Sequence, residues 1–149
     1  MKAHYLGHVV FYVKDLKRSL SFYEELLGFQ NVGEMDSPFK AVALTSGRTH
    51  HEILLIEVGD APKPLQGHRR GFYHIGVKVG DSLDELREVK IELEDAGIRI
   101  SGMSDHTVSQ SIYTEDPDGN EVELYVDADE QIWKNDPGAV VSPIKPLIL

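Results

Sequence analysis

The stretch HTVSQSIYTEDPDGNEVELY, residues 106–125, sets an imidazole at His106, a phenol at Tyr113 and a carboxylate at Glu123 along two β-rich runs joined by DPDG. Imidazole is the side chain that most readily gives or takes a proton near neutral pH, and a phenol can donate to a developing anion. Imidazole together with carboxylate can also hold a divalent cation. The sequence has 7 His and 25 Asp plus Glu in 149 residues, ample material for an oxygen-and-nitrogen metal site. It has no cysteine, which excludes disulfides, thiolate zinc sites and cysteine nucleophiles and fits a reducing cytoplasm. A net charge of −10 would repel a phosphate backbone over most of the surface, so nucleic acid is not an expected partner. The first residues, MKAHYLGHVVFYVKDL, lack the long uncharged apolar run of a signal peptide or a membrane span, so no membrane association is expected.

The elements that must position these residues appear twice. HVVFYVKDLKRSLSFYEELLGF from His8 and HIGVKVGDSLDELREVKIELEDAGI from His74 each open on His, run as a short strand to Val13 or Val79, and pass through Asp15 or Asp81. Each then enters a helical pattern and stops at Gly28 or Gly97, residues suited to the left-handed position past a helix end. The apolar spacing puts Leu16, Leu20, Tyr23 and Leu27 on one helix face, and Leu83, Leu86, Val89 and Leu93 on the other helix's face. Ser82 followed by Glu85 reads as a capping box. Three β-like runs follow each helix, at 30–36, 39–46 and 51–58 and then at 98–105, 109–115 and 121–127. The class is therefore α+β, with two βαβββ modules over about 5–58 and 73–127, a Gly- and Pro-containing linker at 59–72 and a tail at 128–149. Proline forbids a helix in VVSPIKPLIL, which is either an edge strand or an arm on a partner subunit.

Strands alternate faces, and a helix lying on the sheet selects the apolar one. Val9, Phe11 and Val13 belong under the first helix, as do Ile75, Val77, Val79, Val122, Leu124 and Val126 under the second. That leaves His8, His74, Tyr113 and Glu123 on the faces without a helix, and these side chains would line a cavity if the modules join into one open cup with the helices outside. Taken singly, a His before a strand is more often a satisfied structural residue than a ligand. What lifts His8 is its repeat partner His74 and a carboxylate on the same face.

The repeat, with HVVFYVKDLKRSLSFYEELLGF and DPDGNEVELY, resembles the vicinal oxygen chelate superfamily of glyoxalases, bleomycin-resistance proteins and extradiol dioxygenases over nearly the whole chain apart from the tail. The opening stretch is similar to the motif of one-domain type I extradiol dioxygenases, through His106, Ile112, Tyr113, Asp116, Pro117, Gly119 and Glu123. Ser104 departs from it mildly. The resemblance implies a single domain with Fe(II) on His8, His74 and Glu123, with Mn(II) accepted by the same donors, and His106 and Tyr113 as catalytic groups. It implies an oxidoreductase that takes a catechol-type substrate and O2, in the cytoplasm, as a homodimer. The chain is half the length of the common enzymes, which append a non-catalytic copy. A further His that many of them hold ahead of the second ligand is matched here only by His68, which either serves that role or is a solvated linker residue.

Two other functions use the same fold. A glyoxalase I-like nickel or zinc lyase or isomerase would take two ligands from each module, the extra one being a Glu on the fourth strand of the first. In HHEILLIEV that position falls on Leu54 or Leu55, with Glu52 and Glu57 only nearby. The third function is metal-free binding of an aromatic or antibiotic ligand. His50 and His51 read as structural or pocket-lining, Glu121 as a solvated turn residue, and Phe72 and Tyr73 as lining a pocket or sealing the module junction.

Overall fold

The structure, a computed structural model, describes residues 2–63, 67, 68 and 70–149. The chain divides into two compact units, Met1–Leu65 and Gln66–Leu149, each holding one βαβββ repeat. Residues 64–66 and 69 of the expected linker lie outside the described residues.

In the first unit β1 (Val9–Val13) leads through Asp15 into α1 (Leu16–Leu20), where the Asp15 carboxylate accepts the Arg18 N–H at 2.9 Å and caps the helix. The helix then opens into a π-helical turn, Ser21–Leu26, before Gly28 ends it at φ 75°. This turn corrects the expected helix face: the wider spiral rotates Phe22 and Tyr23 inward beside Ser19, while Leu16, Leu20 and Leu27 are only half-buried. Next come β2 (Gln30–Met35), β3 (Ala41–Thr45) and β4 (Ile53–Glu57). They form a sheet in the order β1-β4-β3-β2, with β1 parallel to β4 and the other pairs antiparallel.

In the second unit β5 (His74–Gly80) is followed by α2 (Leu83–Asp95), β6 (Ile100–Asp105), β7 (Ser109–Glu115) and β8 (Glu121–Asp127). Ser82 caps α2 by accepting the Glu85 N–H, and the Glu85 carboxylate in turn accepts the Asp81 N–H and the Ser82 hydroxyl. Leu86 and Leu93 of α2 are buried against the sheet, but Leu83 at the start of the helix is exposed, contrary to the expected face. The tail forms α3 (Gln131–Asn135), a 3-10 turn (Pro137–Val141) and β9 (Lys145–Pro146). Since β9 pairs with β6, the tail supplies an edge strand, and the sheet order is β5-β8-β7-β6-β9.

The strands thus hydrogen-bond into two sheets, of four and five strands. Alternation along β8 is complete: Val122, Leu124 and Val126 are fully buried on the side where α2 packs, and Glu121, Glu123 and Tyr125 are half-buried on the other. Among the described residues, no helix is long and apolar enough to cross a membrane. Because Leu124 has no exposed surface, Leu124→Ala is expected to lower the urea-unfolding free energy by about 2–5 kcal/mol. Glu88→Ala, on the exposed side of α2, should change it by less than about 0.5 kcal/mol.

Candidate metal centre

The site in the second unit begins with the parallel pairing of β5 and β8. The register sets His74 opposite Glu121 and Gly76 opposite Glu123, so both carboxylates fall beside the imidazole on the face away from α2. His74 Nε2 lies 3.2 Å from Glu123 Oε2, and His74 Nδ1 lies 3.2 Å from Glu121 Oε1. A methyl group at Gly76 would make ordinary contact with the Tyr125 ring at 3.4 Å and with Glu123 Oε2 at 3.6 Å. Glu121 is therefore not a solvated turn residue. It lies within hydrogen-bond distance of His74 Nδ1 and accepts a hydrogen bond from the Tyr73 hydroxyl, whose pKa this bond raises. In the tautomer that carries its proton on Nδ1, donated to Glu121, the imidazole presents its lone pair from Nε2.

The β7–β8 hairpin brings the phenol to the same carboxylate. Its DPDG turn is pinned by Asp116, 4% exposed, which accepts the N–H groups of Asp118 and Asn120 and the Asn120 side chain, each at 2.9 Å. This turn fixes Tyr113 opposite Glu123. The Tyr113 hydroxyl donates to Glu123 Oε1 at 3.0 Å, and Ser111 donates to the same oxygen at 2.6 Å. Burial, and then the charge of Glu123, push the Tyr113 hydroxyl well above the usual tyrosine pKa, so it stays protonated and acts as a donor. His106 Nε2 is 2.6 Å from the Tyr113 oxygen; the phenolic proton goes to Glu123, so the imidazole is the donor in that contact. The β6–β7 turn holds His106 there. Thr107 adopts φ 73°, unusual for a β-branched residue, and its N–H is held by Asp105 at 2.7 Å. His68 is exposed.

In the first unit His8 immediately precedes β1 and is exposed. Its ring lies 4.6 Å from that of His51, which lies 4.5 Å from that of His50. Burial and the two neighbouring imidazoles hold the His51 pKa below the usual histidine value. The register of this sheet settles the fourth-strand position: Val10 pairs with Leu54, as Gly76 pairs with Glu123 in the second unit. Leu54, not Leu55, thus occupies the place of the extra glyoxalase Glu. Neither neighbouring Glu is available to replace it. Glu52 takes hydrogen bonds from Thr45 and Ser46 and pairs with Arg48; Glu57 accepts the Leu16 N–H and pairs with Lys40.

Among the described residues no three His, Asp or Glu side chains stand together as a metal site; His74 and Glu123 lie in one unit and His8 in the other. The His74–Glu123 pair suits a metal ion. Bonds of about 2.1 Å to each donor would subtend nearly a right angle across their 3.2 Å separation, as neighbouring ligands of one octahedral ion do.

A family model for the Glyoxalase/Bleomycin resistance protein/Dioxygenase superfamily matches residues 5–124. The chain belongs to that superfamily. The resemblance drawn from the repeated modules is borne out. A catechol-2,3-dioxygenase of Bacillus subtilis (strain 168) is 32% identical over 132 residues, 89% of this chain and 45% of that protein. A lactoylglutathione lyase of Neisseria meningitidis is 28% identical over 124 residues, 80% of this chain and 88% of that one. Among solved structures, the trypanothione-dependent glyoxalase I of Leishmania major superposes with a TM-score of 0.68 at 22% identity, covering 91% of this chain and 94% of that one. The chain spans less than half the length of the dioxygenase relative from Bacillus.

Sequence pattern alone does not mark the Glu121 bond to His74, the Ser111 bond to Glu123 or the His51 contact with His8. Glu121→Ala frees the His74 ring and is expected to weaken Co(II) binding, measured by isothermal titration, by about tenfold or more. Glu121→Gln, which still offers an oxygen to Nδ1–H, should recover most of that loss.

Proposed function

We propose that the protein is an Fe(II)-dependent extradiol dioxygenase that inserts both atoms of O2 into a catechol-type aromatic, with His8, His74 and Glu123 as the ligands. The observation that carries this reading is Leu54 at the first-module position equivalent to Glu123. One carboxylate and two imidazoles leave about three coordination positions open, enough for both oxygens of a catechol and for O2, whereas a fourth protein ligand would occupy one of them. When bound, Fe(II) or Mn(II) supplies those positions and the redox chemistry between the two guests.

The side chains of this chain supply the rest. Glu121 holds the His74 ring so that Nε2 is presented. Tyr113, protonated by virtue of its raised pKa, donates to the substrate oxygen in exchange for its bond to Glu123. His106, with its proton on Nε2 at the phenol oxygen, is placed to pass that proton on or to take one back. In this reading the two modules form one domain. The extent of the family model across both modules supports this. The enzyme works in the cytoplasm as a homodimer, and the exposed apolar Val141, Ile144 and Ile148 of the tail support a subunit contact.

Protein loaded with Fe(II) under anaerobic conditions and then given catechol and air should form a yellow ring-cleavage product. Turnover of the methylglyoxal–glutathione hemithioacetal instead would establish the lyase reading. Binding of aromatics by metal-stripped protein without either activity would establish a binding protein. Tyr113→Phe is expected to lower kcat by about 10²–10³-fold with little change in KM, since its donor acts on charge that develops during the reaction. A KM effect alone would remove Tyr113 from the chemistry.

A further inference from the structure

A carboxylate ligand can bind a cation through one oxygen or through both. Two-oxygen ligation by Glu123 would consume a position that the substrate or O2 needs. The structure holds its two oxygens apart in function: Oε2 faces His74 Nε2 at 3.2 Å, while Oε1 is turned into the sheet, where Ser111 donates at 2.6 Å and Tyr113 at 3.0 Å. Of the two donors, Tyr113 is half-buried and is the group expected to turn to substrate. Ser111 has no exposed surface, and it sits within β7 opposite Tyr125 on the strand's site face, so it has nowhere else to go. When Tyr113 leaves, a buried carboxylate oxygen without a second donor would be costly, and rotation toward the ion would be its simplest relief.

We propose that Ser111 is the positioning residue that commits Glu123 to single-oxygen ligation, and that it thereby frees Tyr113 to exchange Glu123 for substrate. The inference rests on the metal-centre reading above. It assigns a role to a residue in the gap between His106 and Tyr113, whose only sequence feature is that it shares the face of Tyr113. Its chemistry is local. The serine proton remains on its oxygen throughout, and the charge of Glu123 is neither added to nor removed.

The test uses the whole chain, Co(II) as the metal and 4-nitrocatechol as a chromophoric bidentate ligand, with no turnover required. Wild type should bind Co(II) and then nitrocatechol; failure at this point rejects the metal-centre reading itself, before any variant is examined. Ser111→Ala should keep Co(II) affinity within about threefold but bind nitrocatechol about tenfold or more weakly, because the second carboxylate oxygen has taken a position. Ser111→Thr, which retains the hydroxyl, should restore nitrocatechol affinity. Nitrocatechol binding by Ser111→Ala equal to that of wild type would overturn the inference while leaving the metal centre standing. So would a parallel loss of Co(II) and nitrocatechol that threonine does not restore, since that pattern marks a packing role only.

Discussion

The parallel pairing of β5 with β8 is the constraint on which the site depends. It joins strands 47 residues apart and stands His74, Glu121 and Glu123 side by side on a face that α2 leaves uncovered. Slipping β8 by one residue would turn Val122 and Leu124 to that face and bury both carboxylates under the helix. Two features hold the register: the apolar set Val122, Leu124 and Val126, which has no exposed surface, and the DPDG turn, in which Asp116 ties down the backbone on its far side. Packing on one face thus positions charge on the other.

The same architecture is used twice with different side chains. In the first unit β1 and β4 pair in parallel as β5 and β8 do, yet Val10 and Leu54 stand where the second unit has Gly76 and Glu123. The carboxylates nearest to Leu54 are tied to local structure, Glu57 to the start of α1 and Glu52 to the β3–β4 connection. The two modules are therefore an unequal pair: the second carries two carboxylates, two phenols and two imidazoles on one network, while the first offers His8 beside His51. An ion held by His8, His74 and Glu123, as proposed, would keep more of its coordination sphere for guests than one held by four protein ligands.

The parts legible in the sequence are those governed by local pattern. The bounds of β7 and β8 coincide with the alternating runs around DPDG, and Ser82 with Glu85 caps α2 as its spacing predicts. Local pattern also placed Tyr113 and Glu123 on one face, since a hairpin with a defined turn fixes its own cross-strand neighbours. What the pattern could not show depends on partners distant in the chain. Glu121 follows a turn and reads as solvated until the β5 pairing puts His74 beside it. Ser111 is one small polar residue among several in SQSIYTE, and only the diagonal reach to Glu123 distinguishes it. The π-helical turn at Ser21–Leu26 breaks the 3.6-residue period that predicts the face of the first helix.

The proposed function requires that His8, His74 and Glu123 share one ion. Its most direct measurement is the iron content and Fe(II) dissociation constant of His8→Ala beside those of His74→Ala and Glu123→Ala, all confirmed folded by circular dichroism. The account predicts that each of the three loses stoichiometric iron to a similar degree. Stoichiometric iron bound by His8→Ala with wild-type affinity would contradict it.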